Sequence, residues 1–377
     1  MNNKALDCSD LFLEFSDART YLIERIKLLL YGYDKDVFDK IDFYKDSIYL
    51  NPFLFSCLDN GEPDELDFII GCNSKEATFN YKVNFEGEIY IHGFGVYTFE
   101  EKNQKIKIIK KNETFIFFDL NGKELKHNIR FNVTNPQNIE FFNIDHRLIN
   151  NLFENSTVVS GSHYNNEFNN AMVILAKINP VLFEIITKSV KKVVFFKGSD
   201  NSFASIKTHG IIYLNVNDEY GEAYFLDDIV HQSGHVIFNT LTLKDKANFF
   251  KPNQNIKSDK DENLEHDLYG RFHGLYTICL STICLSQALE KKAFAKSQEF
   301  EACGRIADNM AKYKRLLEKL VKPEMCTKQG LEWLSIFKRH YDKLREINQW
   351  IIQKYDVSNQ PYVFNSEIFR ESNKTVN

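Results

Sequence analysis

The spacing of apolar residues changes character along this chain, and the change predicts its organisation. Leu13, Phe15, Tyr21, Leu22, Ile26 and Leu29 recur at helical spacing ahead of Gly32, which predicts a first helix from about Cys8 to Tyr31. A mixed stretch follows from Phe38 to Gly71. Between Ala77 and Lys126 the period becomes two: Thr78–Val83 alternates, Glu86-Gly87 turns, and Ile89–Phe99 continues as a second strand. Lys105–Ile109 and Thr114–Phe118 come next, separated by polar turns, and Asn121-Gly122 closes an expected antiparallel meander of four or five strands.

Beyond Asn150 the helical period dominates. Glu167–Ser189 is interrupted by Pro180, and Val193–Phe196 and Gly210–Val216 read as short buried strands. Four helical tracts are then expected: Glu222–Leu243, Leu275–Ala295, Phe300–Val321 and Leu331–Tyr355. The last carries Leu334, Phe337, Tyr341, Leu344, Ile347 and Ile351 on one stripe, the pattern of a core-facing helix. The loop 248–267 is polar, and the tail after Asn359 reads as an extended arm. The chain is thus expected to be α+β. Residues 1–149 form a helix and a β-meander suited to peptide recognition along a sheet edge, and residues 150–377 form a mainly helical domain.

Composition narrows the partners. Hydrophobic residues make up 43 % and charged residues 26 % of 377, and the formal charge is −5. That sign offers no non-specific attraction to nucleic acid or an anionic membrane, so neither is an expected partner. The first ten residues lack a basic segment followed by an apolar core, so no secretory signal is expected. The most apolar tract, Leu275–Leu285, is too short to span a bilayer. Seven scattered cysteines without a Cys-x-x-Cys pair read as reduced core thiols of a cytoplasmic protein.

The chemistry concentrates in Leu226-Asp-Asp-Ile-Val-His-Gln-Ser-Gly-His-Val-Ile-Phe238. His231 and His235 stand four residues apart on an expected helix and so project from one face, a turn apart. Two imidazoles so placed can bind one metal ion, as in the His-Glu-x-x-His motif. The surrounding helix is strongly apolar, where unpartnered imidazoles are costly to bury. Gly234 costs about 1 kcal/mol against alanine inside a helix, which makes sense if another element packs closely there. His273, at the expected entry of the next helix, is a candidate third ligand. The carboxylates Glu222, Asp227, Asp228, Glu262, Glu265 and Asp267 are the alternatives. Asp227, a turn before His231, either orients a ligand or supplies a favourable N-terminal helix charge. Gln232 stands where a zinc peptidase carries its glutamate base, and an amide cannot accept that proton. Open coordination positions without a base suit a redox metal, whose usual non-haem iron set is two histidines and a carboxylate.

The runs Asn201-Ser-Phe-Ala-Ser-Ile-Lys-Thr-His-Gly-Ile-Ile-Tyr-Leu-Asn215, Phe225-Leu-Asp-Asp-Ile-Val-His-Gln-Ser-Gly-His235 and Gly270-Arg-Phe-His-Gly274 resemble the His-Glu-x-x-His peptide-modification family. Its members are iron- and 2-oxoglutarate-dependent oxygenases that hydroxylate β-carbons of ribosomally made peptides. The likeness covers about residues 190–290 and departs from the family at Gln232. It implies His231, His235 and His273 as catalytic Fe(II) ligands, with 2-oxoglutarate and dioxygen as cosubstrates and a precursor peptide as partner. Arg271 is then the candidate cation for the distal carboxylate of 2-oxoglutarate, provided that it lies before the helix carrying His273 begins. A salt-bridged arginine is the plainer account. Ser205 is a candidate hydrogen-bonding residue for cosubstrate or peptide, against a plain turn serine. His209 is a candidate support for the ligands, against a turn histidine. A zincin-like metallohydrolase and a non-catalytic peptide-binding metalloprotein are the competing functions.

Overall fold

The computed structural model describes residues 7–39, 41–60, 63–131, 134, 139–143, 146–160, 163–244, 249–251 and 268–374. It is a mixed α/β structure, with antiparallel sheets in the N-terminal half and helices in the C-terminal half. The chain forms two compact units. A sheet unit comprises Thr20–Ser162 and Val190–Asn215, and a helical unit comprises Met1–Arg19, His163–Ser189 and Val216–Asn377.

Within the sheet unit, the alternating segment folds as two three-stranded antiparallel sheets, not as one meander. β1 (Glu76–Lys82), β4 (Lys105–Lys111) and β5 (Thr114–Phe118) pair in the order β1-β4-β5. β2 (Glu88–Ile91), β3 (Gly95–Thr98) and β6 (Asn128–Arg130) form the other sheet in the order β2-β3-β6. The expected single strand Ile89–Phe99 is therefore a hairpin. Gly93 (φ 81°) and Gly95 (φ 109°) take left-handed backbone there, and a Cβ on Gly95 would lie 2.9 Å from the Arg130 carbonyl oxygen of β6. Strict alternation buries Ile106, Ile108, Phe115 and Phe117 on one face.

The third sheet of this unit is mixed. β9 (Lys192–Gly198) and β11 (Ile211–Asn215) are parallel, confirming the two buried strands expected there. β7 (Glu140–Phe141) runs parallel to the start of β9, and β8 (Ser156–Val158) antiparallel to its end. β10 (Phe203–Ala204) pairs antiparallel with β11. Residues 192–196 are all buried, as befits an interior strand, although the first of them is a lysine. Helices α2 (Pro52–Asn60) and α3 (Pro63–Asn73) complete the unit, and Phe53, Leu54, Phe68 and Ile70 join its core. The first helix, α1 (Phe15–Tyr33), starts later than expected. Ser9–Leu11 is a separate 3₁₀ turn, and Leu13 is 80 % exposed.

The helical unit holds α4 (Asn165–Ile178) and α5 (Pro180–Ser189), divided at the expected proline. Asn179 caps the break: its Oδ1 accepts from Leu182 N at 3.1 Å. Then come α6 (Glu222–Thr242), α7 (Leu268–Glu290), α8 (Lys296–Arg315) and α9 (Lys328–Ile347). α7 begins seven residues before the expected Leu275, because Tyr269 and Phe272 add an aromatic turn that packs on Phe238 and Phe249. α8 passes into a π turn at Leu316–Leu320. The expected last helix is broken at buried Asn348, whose Nδ2 donates to Ser286 Oγ and the Leu344 carbonyl, and Ile347 is consequently 41 % exposed. The tail is not simply extended: Ser366–Ser372 is a helix capped by Asn365. Among the described residues, Tyr269–Glu290 is the one helix long and apolar enough to cross a membrane, and it is mostly buried, as a core helix would be. All seven cysteines are free and buried, as expected. Most of the polar loop 248–267 lies outside the described residues.

Burial lowers two histidine pKa values in the sheet unit, that of His209 to about 4 and that of His92 to about 3. Unfolded histidines titrate near about 6.5. Between those limits the unfolded chain binds more protons, so acid destabilises the fold. We expect the thermal midpoint of the full chain to fall as pH drops from about 6.5 to 4, and His209→Gln to flatten that slope. Circular dichroism melts across pH provide the measurement.

Candidate functional site

α6 is almost wholly buried, from Ala223 through Phe238, but one stripe is not. Asp228, His231, His235 and Asn239 are half-buried along a single face. Helical spacing dictates this, since offsets of three and four residues keep side chains on one row. α7 runs against α6 and adds half-buried Tyr269 and His273 to the row. The Tyr269 hydroxyl lies 2.6 Å from Thr242 Oγ1, tying the ends of the two helices together.

Gly234 permits this approach. A Cβ at that position would meet Thr277 Cγ2 at 3.1 Å and Thr277 Cα at 3.4 Å. The close neighbour anticipated from a glycine in mid-helix is therefore α7 itself. With the helices so near, His235 Nδ1 lies 3.3 Å from His273 Nδ1, and the ring centroids are 4.8 Å apart. The His231 ring is next in line, 5.2 Å from His235 centroid to centroid. The structure thus brings the three sequence-predicted histidines into one row.

Two imidazole nitrogens each at about 2.1 Å from one ion lie about 3.0 to 3.4 Å apart for octahedral to tetrahedral angles. The 3.3 Å separation meets that condition, and it is equally the length of a hydrogen bond between neutral rings. Among the described residues, no group of three or more His, Cys, Asp or Glu side chains is already arranged to hold a metal ion. As it stands the His235–His273 pair is a ring-to-ring hydrogen bond whose length is compatible with two ligands of one ion, and both rings would have to turn to share it. Burial lowers the His231 pKa, opposed by Asp227 and Asp228 and reinforced by Lys312, so its ring is neutral near pH 7 and available as a donor.

The neighbouring carboxylates are engaged in different ways. Asp227 faces α8, where its Oδ2 accepts from Arg305 Nη1 at 3.1 Å and its Oδ1 from Asn309 Nδ2 at 3.2 Å. Arg305 is also bound by Glu301, at 2.7 Å. Asp227 is therefore part of a buried ion network that fastens α6 to α8. Asp228, on the histidine row, accepts from the Tyr224 hydroxyl at 2.8 Å and from Gln232 Nε2 at 3.1 Å. That contact accounts for Gln232, because a glutamate there would set one carboxylate against another. Glu222 lies in the first turn of α6. Glu262, Glu265 and Asp267 lie outside the described residues.

Three other sequence candidates are placed differently. Arg271 is buried inside α7 instead of preceding it. Residues two apart on a helix point about 200° from each other, so the condition for Arg271 and His273 to share a site is not met. Ser205 belongs to the sheet unit, where its Oγ accepts from Lys207 N at 3.2 Å and caps a 3₁₀ turn. His209 is buried against Phe55 in the same unit, ring centroids 5.1 Å apart. The sequence reading missed Lys312 of α8, which pairs with Asp308 at 2.5 Å and acts electrostatically on His231. No known family model matches this sequence, and a search of curated proteins finds no relative.

The packing at Gly234 generates a prediction. Gly234→Ala should change stability little, since gained helix propensity offsets a tight methyl contact. Gly234→Leu should destabilise by about 1 to 3 kcal/mol as the helices separate. Urea unfolding of both variants, read beside histidine NMR shifts at 235 and 273, tests whether this contact sets the ring geometry.

Proposed function

We propose that the histidine row of α6 and α7 holds Fe(II), and that the chain is a 2-oxoglutarate-dependent oxygenase hydroxylating a β-carbon in a ribosomally made peptide, in the cytoplasm. The observation that carries this reading is the 3.3 Å approach of His235 to His273 across two helices, with His231 a turn away on the same half-buried face. The resemblance around residues 190–290 supports the cosubstrate and the peptide substrate.

In this reading the rings of His235 and His273 turn to hold the metal, and His231 turns to join them. Iron bound with 2-oxoglutarate and dioxygen supplies the oxidising power for hydroxylating an unactivated C–H bond. The chain's own part is positional. Asp227 and Arg305 fix α6 on α8, while Gln232 and Tyr224 hold Asp228 in place. No residue of the row needs to act as a base on water, which suits Gln232. For the distal carboxylate of 2-oxoglutarate, Lys312 on α8, half-buried beside Asp308, stands in for Arg271, which lies inside α7 and so points about 200° from His273.

Two outcomes are expected. Anaerobic titration should show Fe(II) binding that weakens more than ~10-fold in His235→Ala and in His273→Ala. Succinate should accumulate with 2-oxoglutarate, and the peptide should gain one oxygen in a mass spectrum. Zinc-dependent peptide cleavage instead would overturn the proposal. Separately, Lys312→Ala should raise the KM for 2-oxoglutarate about 10-fold, the scale of a lost charge-assisted hydrogen bond, and leave Fe(II) affinity intact. An Arg271→Ala variant with the larger effect would reverse that assignment.

A further inference from the structure

The sheet unit contains a second polar site that the histidine row does not use. A small pocket there is lined by Asn51, Glu65, Tyr90, His92 and His146, with Phe53, Phe68 and Cys72 as apolar walls. Asn51 is 1 % exposed. Its Oδ1 accepts from Phe53 N at 3.2 Å at the start of α2, which fixes the orientation of the amide. Its Nδ2 is then a buried donor with no partner among the described residues. A buried amide donor ordinarily finds an acceptor, either in the protein or in a bound molecule.

The other groups lining the pocket define what that molecule must be. Glu65 is 2 % exposed and accepts from the Tyr81 hydroxyl at 2.9 Å. His146 Nδ1 accepts from Leu148 N at 3.3 Å, so the ring proton sits on Nε2, 3.5 Å from Glu65 Oε1. On the opposite wall the Tyr90 hydroxyl donates to Glu140 at 2.8 Å and accepts from Lys192, and His92 Nδ1 lies 3.2 Å from that hydroxyl. Lys192 is fully buried and paired with Glu140. An anion would meet the Glu65 carboxylate, and a cation would meet the Asn51 and His146 N–H donors. A molecule that both accepts and donates satisfies both walls. The space suits about one water. Half-buried Asn73 and His92 also line the pocket.

We infer that this pocket binds one small hydroxylic molecule, water in the first instance, which accepts a hydrogen bond from Asn51 Nδ2 and donates one to Glu65. It thereby joins the Tyr81–Glu65–His146 group to the helix start that Asn51 caps. The Lys192–Glu140–Tyr90 group forms the facing wall.

A crystal structure of the full chain at a resolution that resolves internal waters tests this. The expected result is a density peak within hydrogen-bonding distance of both Asn51 Nδ2 and a Glu65 oxygen. In solution, the Asn51 side-chain amide protons should show a nuclear Overhauser cross-peak to a long-lived water. Asn51→Leu should lose the peak and lower the thermal midpoint. Because that variant also loses the cap, the unmutated chain decides. A dry pocket beside other well-defined internal waters, or the Asn51 amide turned onto a protein acceptor, overturns the inference. So does density for an ion in place of water.

Discussion

The close packing of α6 on α7 at Gly234 is the constraint from which the candidate site follows. Without a side chain at that turn, Thr277 approaches to van der Waals contact with the α6 backbone. Two helices at that separation bring the rings of residues 38 positions apart in sequence to 3.3 Å. The rest of α6 reinforces the placement. Its apolar faces are buried, Asp227 is locked into the Arg305–Glu301 network of α8, and Tyr269 binds Thr242 at the far end. The histidine geometry therefore follows from core packing together with the hydrogen bond between the two rings.

Much of this was legible in the sequence because it rests on local period. The presence of four long C-terminal helices and the two buried strands of the mixed sheet follow from apolar spacing, and the division at Pro180 from the proline. The His231–His235 row follows from an offset of four. Where the reading failed, the deciding information was non-local. Alternation over residues 77–126 gave strands but not partners, and the glycines at 93 and 95 turned one long strand into a hairpin and the meander into two sheets. The start of α7 was masked by aromatic residues that favour neither state strongly. Its earlier start is what carries Arg271 round to the far side of the helix from His273.

The charged residues were the least legible. A lysine at the head of β9 gives no sign in sequence that it will be fully buried, since Lys192 depends on Glu140 and Tyr90, 52 and 102 residues away. Such a pair contributes less to stability than its Coulomb attraction suggests, because both charges lose their hydration. It does tie elements together: Glu140 of β7 and Tyr90 of β2 both reach the ammonium group that β9 carries. In the same way Gln232 reads as a defect in a metal motif until Asp228 is seen beside it.

The stripe of half-buried residues on α6 also bears on how this protein can diversify. Three sides of the helix are committed to the interior, so replacements there are filtered by folding before any chemistry is sampled. Along the row of Asp228, His231, His235 and Asn239 the side chains are only half-buried, so a replacement there disturbs fewer packed neighbours. Sequence can therefore drift along one line of side chains while the scaffold behind it stays fixed.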